Sequence, residues 1–500
     1  MQLAQTVERT GSPALAEAAL AQVGARADPR SGLPRAAGWA RVADMAPFLL
    51  PSQPVRSAQE YLASEVGGAG VARAQDIGPA ATIEEITRSG LRGRGGAGFP
   101  TGRKWQGIAA QQGGRRYLVV NGAEGEPGTF KDRALIRANP YQLVEGLVIA
   151  AFAVGVDEVY VCLKASFTEA IERVTQAIEE MQAAGICRDC AVNVVAGPDE
   201  YLFGEEKAML EVIEGRPPLP RLLPPYEHGL FAGAVQTGWE GRAEPTGTGS
   251  NPTLVNNVET LSNVPHILAR GADWFRSMGT ANSPGTIVTT VVGDVVAPDV
   301  GEVEMGASLR DVVDAVGSGL APDRRVKAVF SGVANAVITD LDVPVSYEGL
   351  QAVGSGLGSA GFVVHDDTSC MVNAAYVSSR FLSIESCGQC PPCKLGSGEI
   401  TEHLQRLEAG GGTEADMQGI AHWLQRVTDG NRCHLAVEEQ ILVTSVIRAF
   451  AEEFVEHVEA GRCPRPRALP LPKLVELRDG VATYDESFWR KRPDWTYEPS

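Results

Sequence analysis

Three cysteines in the run CGQCPPC, Cys387, Cys390 and Cys393, stand at C-x2-C-x2-C spacing. Thiolates so spaced on a Pro-rich loop can point inward at several corners of one iron–sulfur cube. Zinc more often uses paired knuckles, so a structural zinc or free thiols are the plainer alternatives. A fourth ligand must come from elsewhere. Cys433, between two expected helices, is the first candidate; Cys370 and Cys463 follow, and His434 is a weaker one.

A second signal is the glycine run from Arg92 to Gly98, a literal G-x-G-x-x-G at Gly93, Gly95 and Gly98. Its surroundings fail the dinucleotide fingerprint, because a helical pattern precedes it and Phe99-Pro100 interrupts any immediate helix. A P-loop is excluded, since Arg103 separates Gly102 from Lys104. What remains is a loop whose bare backbone can approach a phosphate, with Arg94 and Lys104 nearby for charge. An ordinary turn is the bland alternative.

Three acidic or amide stretches follow: Asn121 to Gly128 with Glu124 and Glu126, Tyr201 to Glu206 with Gly204 and Glu205, and Asn256-Asn257-Val258-Glu259-Thr260. The first closes an expected strand, where α/β domains bind ligands. Carboxylates there suit ribose hydroxyls and repel the 2′-phosphate of NADP, which favours NAD. Taken singly, each stretch can equally be a solvated turn. Cys187 and Cys190 form a C-x-x-C in a helix–strand connection and read as structural thiols, as does Cys162 within a strand. Cys463 otherwise reads as a tail thiol.

These residues need a scaffold. Residues 1–75 are rich in Ala, Pro and Gly, with one helical stretch near Ala14–Gly24 and neither cysteine nor histidine. Beyond 76, Thr82 and Glu85 have capping-box spacing ahead of a short helix that Gly90 can stop. A strand at 116–120, a helix at 140–154, a strand at 159–163, a helix at 167–184 and a strand at 191–196 then alternate, the pattern of an α/β layered domain over 76–284. Short Val-rich strands with one helix at 308–316 suggest a small α+β domain over 285–368. Helices follow over 369–465, including 399–407, 415–427 and 437–460. The basic, Pro-rich tail 466–500 reads as an extended arm.

Five hundred residues are too many for one compact core and imply about three or more domains. With 62 acidic against 44 basic residues the net charge is −18, which argues against nucleic-acid or anionic-membrane binding. The strongest apolar run, 146–156, reaches only about half the length of a membrane span. The N-terminus has neither a basic start nor an apolar stretch, so no secretory signal is read there and the cytoplasm is the expected location. Nine cysteines, unevenly spaced, suit a reducing compartment rather than a disulfide framework.

The motifs SGLRGRGGAGFPTGRKW (89–105), NGAEGEPGTFKDR (121–133), YLFGEEKAMLEVIEG (201–215), NPTLVNNVET (251–260) and ESCGQCPPCKLG (385–396) occur in one order. Together they resemble the flavin- and NADH-binding subunit of respiratory complex I and its soluble relatives, the NAD-reducing hydrogenases and the molybdenum- or tungsten-dependent formate dehydrogenases. The resemblance covers about residues 76–465. It implies a Rossmann-like FMN/NADH domain, then a β-grasp (SLBB-like) domain, then a C-terminal helical bundle with a [4Fe–4S] cluster. By motif position, Gly93, Arg94, Gly95, Gly96, Lys104, Asn121, Glu124, Asn256 and Asn257 would surround FMN. Phe99, Glu126, Glu205 and Glu206 would face NAD(H), with Tyr226 on its adenine; Gly98, Tyr201 and Gly204 join the cofactor-binding set. Cys387, Cys390, Cys393 and Cys433 would ligate the cluster.

The implied activity is that of a diaphorase subunit: hydride transfer between NAD(H) and FMN, coupled to one-electron transfer through the cluster. A non-catalytic electron-transfer scaffold is the alternative of another class. Ala123 and Leu223 depart from the family pattern, standing where acidic and basic residues are common. The stretch PPYEHGLFAGAVQTGWEG (224–241) is longer than in complex I and resembles the formate dehydrogenase branch, the beta subunit of that enzyme. The cysteine-free N-terminus also differs from the hydrogenase subunit. The expected partners are a small [2Fe–2S] subunit and a large molybdenum- or tungsten-containing, formate-oxidising subunit.

Overall fold

A computed structural model describes residues 47–111, 114–187, 190–232, 250–471, 473–493 and 495. The helix expected near Ala14–Gly24 and much of the 224–241 stretch lie outside the described residues.

Four parallel strands make the first sheet: β1 (Tyr117–Asn121), β2 (Glu158–Lys164), β3 (Ala191–Gly197) and β4 (Thr253–Asn257), in the order β3-β2-β1-β4. The chain runs outward from β1 through β2 to β3, then returns to the far side of β1 to lay down β4. That reversal creates a topological switch point between β1 and β4, the place where open α/β sheets bind ligands. Asn121 and Asn257 face each other in register at its carboxyl end.

The helix Pro140–Val154 falls where the sequence places it. Pro140 opens it, Asn139 caps the Gln142 N–H at 3.4 Å, and Gly155 in the left-handed region ends it. It is apolar nearly all round and is buried accordingly. The helix Val258–Arg270 approaches it so closely that a Cβ on Gly146 would sit 2.0 Å from the Leu261 carbonyl oxygen. The capping-box reading of Thr82 and Glu85 is corrected: the helix starts earlier, at Pro79, and runs to Ser89. Thr82 Oγ1 instead bonds back to the Gly78 carbonyl, and Glu85 accepts from the Ala272 N–H at 2.7 Å. Gly90 does end this helix, in the left-handed region.

Residues 47–75 do not stand apart from the α/β layer. Leu49, Ala58, Tyr61, Val71 and Ala74 join its apolar core. Buried Glu145 accepts from Tyr61 Oη, Gly68 N and Val71 N at 2.8, 2.8 and 3.0 Å.

The second sheet comprises β5 (Thr286–Gly293), β6 (Asp299–Glu304), β7 (Val326–Ser331) and β8 (Gly361–Asp366), in the order β6-β5-β8-β7. Its central pair is parallel and both outer pairs are antiparallel. The helix Leu309–Gly317, capped by Ser308, packs on β5. Glu302 on β6 receives the backbone N–H groups of Phe48, Leu49 and Leu50 at 2.9, 2.8 and 3.2 Å, together with the Thr286 hydroxyl at 2.7 Å. Glu302→Ala orphans those donors and is expected to cost about 1–3 kcal/mol, read as a lowered unfolding midpoint. An unchanged midpoint contradicts this anchoring role.

Helices follow at Met371–Glu385, Pro391–Glu408, Glu414–Leu424, Leu435–Ala449 and Ala451–Ala460. The single helix expected over 437–460 is two, broken at Phe450, whose φ of −130° is not helical. The tail is more than an extended arm. It forms an antiparallel hairpin of β9 (Leu474–Arg478) and β10 (Val481–Tyr484), and Leu469, Leu471, Leu474, Leu477 and Phe488 are buried in the core of the helical region.

Candidate functional site

A cavity of about 900 Å³ opens beyond the carboxyl ends of β1 and β4. The glycine loop forms one wall. Gly93 N donates to the Phe99 carbonyl at 2.8 Å, and Arg92 pairs with Pro100 as an antiparallel bridge, so residues 93–98 bulge out as a closed loop. The interruption expected at Phe99-Pro100 is only momentary: Pro100 is itself the N-cap of the helix Thr101–Ala109. Gly98 has φ of 63°, and a Cβ there would lie 2.3 Å from the Tyr347 ring, so this position demands glycine. A Cβ on Gly95 would press on Asn257 at 3.1 Å, whereas one on Gly96 would meet nothing within 4 Å.

Gly93, Gly95, Gly96, Gly98, Phe99, Lys104, Asn121, Glu124, Glu126, Tyr201, Gly204, Glu205, Glu206, Asn256 and Asn257 all line this cavity. Arg94 and Tyr226 do not. The Arg94 side chain is 1% exposed and turns to the second sheet, donating to the Thr286 carbonyl at 2.9 Å and the Pro284 carbonyl at 3.3 Å. It ties the loop to that sheet rather than offering charge to a ligand. Tyr226 is 50% exposed and outside the lining, while Phe99, 52% exposed, presents an aromatic face at the rim.

Most of the lining carboxylates already hold the scaffold. Glu124 accepts from Asp132 N and Arg133 Nε, both at 3.0 Å, and so braces the turn after β1. Glu205 caps the helix Glu206–Ile213 through Lys207 N and Ala208 N, each at 2.9 Å, and burial raises its pKa. Glu206 forms an ion pair with Lys104. Asn256 accepts from Trp105 Nε1 at 2.7 Å.

Several lining residues carried no assigned role in the sequence reading. Lys131 Nζ donates to Asp132 and Asn257 at 2.7 and 3.1 Å and forms an ion pair with Glu259 at 2.9 Å. Burial opposes its charge, but those carboxylates more than offset burial and lift its pKa. Burial lifts Asp132 to about 6 against the pull of Lys131. The KDR at the end of the NGAEGEPGTFKDR motif was the available signal. Asn335 from the turn after β7, Tyr347 from the start of the helix Tyr347–Ala352 and Glu438 from the helix Leu435–Ala449 also reach the cavity, and nothing local in the sequence marks them.

Tyr201 Oη lies 2.5 Å from Glu126 and 3.3 Å from Glu438, and Glu126 also accepts from Val333 N at 2.6 Å. Burial raises both carboxyl groups, Glu438 to about 8. A carboxyl pKa raised by folding gives stability that is full below the unfolded value of about 4.3 and lost as pH climbs through about 8. Glu438→Gln mimics the protonated form, so its unfolding midpoint is expected to fall less steeply across that window than the wild type's. Parallel curves from thermal melts contradict this.

Cys387, Cys390, Cys393 and Cys433 line one smaller cavity with Leu202, Arg432 and Leu435. Cys390 is the N-cap of the helix Pro391–Glu408 and Cys393 sits in its first turn, so the motif is a helix start rather than all loop. Arg432 Nη1 donates to Gln389 Oε1 at 3.0 Å, clipping the Cys433 segment to the motif. Burial raises Cys393 to about 11, and it raises Cys433 further. Cys370, Cys463 and His434 are not in this lining. Cys162 and Cys187 are buried, and burial raises both thiols.

Leu202, Cys433 and Leu435 border both cavities, so one wall of side chains separates them. The larger has the volume of a cofactor site, commonly about 300–1,000 Å³. It offers a phosphate the bare backbone of Gly95 and Gly96 beside Lys104, and a flavin ring the amides of Asn121, Asn256 and Asn257. FMN fits these residues. The smaller supplies four sulfur donors, the set that holds a [4Fe–4S] cube. No helix among the described residues is long and apolar enough to cross a membrane.

Comparison with known proteins agrees with both fits. Residues 86–266 match the Nuo51 FMN-binding domain, and 373–457 match the NADH-ubiquinone oxidoreductase-F iron-sulfur binding region. The chain is 38% identical over 434 residues to an F-type NADH-quinone oxidoreductase subunit of Rhizobium meliloti, covering 84% of this chain and 99% of that one. It is 36% identical over 423 residues to the NADP-reducing hydrogenase subunit HndC of Solidesulfovibrio fructosivorans, covering 82% of each. A crystal structure of NAD+-reducing [NiFe]-hydrogenase in the air-oxidized state superimposes with a TM-score of 0.68 at 31% identity, over 82% of this chain and 67% of that one. The chain therefore belongs to the family of FMN-binding, [4Fe–4S]-carrying NADH-dehydrogenase flavoprotein subunits, of the complex I or hydrogenase type.

Proposed function

We propose that this chain is the diaphorase subunit of an NAD-dependent formate dehydrogenase, in an assembly that converts formate and NAD⁺ to CO₂ and NADH. The observation that carries the diaphorase chemistry is the shared wall of Leu202, Cys433 and Leu435 between the flavin-sized cavity and the four-cysteine cavity. Bound FMN supplies two-electron exchange with NAD(H) and one-electron exchange with the cluster. The protein's part is positioning and exclusion of water.

Gly93, Gly95, Gly96 and Gly98 shape the backbone against the flavin phosphate, with Lys104 as its cation. Asn121, Asn256 and Asn257 hold the ring, while Glu124 braces the turn beneath it. Phe99 at the rim offers a stacking face to NAD(H). Glu126, Glu205 and Glu206 make the nucleotide end acidic, which suits ribose hydroxyls and disfavours a 2′-phosphate. Arg94 and Tyr226 are left out of this set. Cys387, Cys390, Cys393 and Cys433 hold the cluster. The sheet β6-β5-β8-β7 takes the place of the β-grasp domain, and the helices after residue 371 that of the cluster-bearing bundle.

The formate assignment rests on the length of the 224–241 stretch and on a first 75 residues free of cysteine. The names of the relatives favour a complex I or hydrogenase partner instead. A native pull-down with metal analysis separates these readings. Molybdenum or tungsten with a [2Fe–2S] subunit supports formate dehydrogenase. Nickel, or capture of a membrane assembly, overturns it.

A further inference from the structure

Cys370 and Cys463, two of the five cysteines outside the cluster cavity, meet each other together with Glu408 and His457. Cys370 Sγ lies 3.3 Å from His457 Nε2 and 3.6 Å from Glu408 Oε2, and His457 Nε2 lies 3.6 Å from the same carboxylate oxygen. With Cys463 Sγ, the four donor atoms fall within 4.8 Å of one another. A tetrahedral zinc with bonds of about 2.0–2.3 Å sets its donors about 3.3–3.8 Å apart, which these three separations match.

The surroundings favour a metal over a plain hydrogen-bond cluster. His457 Nδ1 is 2.6 Å from the Glu453 carbonyl one helical turn away, so the proton belongs on Nδ1 and the Nε2 lone pair faces the group. This is the arrangement by which a ligating histidine is fixed in tautomer and direction. The Asn373 N–H donates to Cys370 Sγ at 3.4 Å, supporting a thiolate. One nitrogen lone pair, one carboxylate and two sulfurs thus converge on one point, and a soft-to-borderline dication satisfies all four.

We propose that Cys370, Glu408, His457 and Cys463 form a structural zinc site, separate from the iron–sulfur centre. Cys370 caps the helix Met371–Glu385 and Glu408 ends the helix Pro391–Glu408. The Cys387–Cys393 motif joins the opposite ends of these same two helices, about 22 Å away along a 15-residue helix. His457 and Cys463 add the end of the helix Ala451–Ala460 and the start of the tail. One ion therefore clamps three helix ends and fixes the base of the hairpin whose tip carries the cluster.

Metal analysis and zinc X-ray absorption on the full chain, purified anaerobically with its cluster, test this. About one zinc per chain is expected beside about four irons, in a shell of two sulfurs and two nitrogen or oxygen donors. Cys463→Ser and Glu408→Ala, both at partly exposed positions, are expected to lower zinc at least about fivefold and leave iron unchanged. Four results overturn the proposal: no zinc in wild-type protein with full iron, iron in its place, zinc retained by both variants, or a Cys370–Cys463 disulfide in peptide masses. Should a variant fail to fold, the wild-type stoichiometry and ligand shell decide alone.

Discussion

Cys433→Ser is expected to empty the iron–sulfur site and spare the flavin, with iron falling from about four atoms per chain to below one. Serine keeps the shape of the side chain but replaces a soft thiolate by a hydroxyl that stays protonated, so one corner of the cube loses its ligand. The segment itself should hold, because Arg432 remains clipped to Gln389 and Lys207 still donates to the Arg432 carbonyl. Electron delivery through the cluster is lost, while NADH-driven reduction of ferricyanide at the flavin persists. Iron analysis and low-temperature EPR check this. Full iron in the variant would move the fourth ligand away from Cys433.

Gly98→Ala is expected to cost the flavin its seat. The left-handed φ of 63° is strained for any side chain by about 1–2 kcal/mol. The new Cβ would also lie 2.3 Å from the Tyr347 ring, an overlap of the kind that costs about 1–3 kcal/mol. Tyr347 has little room to yield. Its hydroxyl donates to the Gly93 carbonyl at 2.8 Å, and the Arg92 guanidinium lies 3.9 Å from its ring centre. The loop must therefore move, and a loss of about 2–5 kcal/mol weakens FMN binding by tenfold or more at about 1.4 kcal/mol per decade. Flavin released on denaturation measures occupancy. Occupancy equal to the wild type contradicts the loop's role.

The difference between what was legible in the sequence and what was not is physical. The helix Pro140–Val154 announced itself because its start, its stop and its apolar body are all local signals. The glycine loop and the three cysteines of CGQCPPC were readable for the same reason, since short motifs carry their own chemistry, whereas Cys433 was one of several candidates for the fourth place. Arg94 misled because residue type gives charge but not direction, and its guanidinium points to carbonyls some 190 residues ahead. Tyr347 and Glu438 stayed hidden because each reaches the cavity only through the packing of distant elements. The pairing of Cys370 with Cys463 depends on four segments converging, which spacing alone does not reveal. Thr82 and Glu85 had the right spacing for a cap, yet Pro79 offered the helix an earlier start.

We infer that this one chain carries electrons from NADH through FMN to the cluster. The most direct test is anaerobic addition of NADH to the purified chain loaded with flavin and cluster, followed by flavin absorbance, cluster EPR and ferricyanide reduction. NADH is expected to bleach the flavin, a reduced-cluster signal to follow, and ferricyanide to turn over. A fully loaded chain that NADH neither bleaches nor drives through turnover contradicts it.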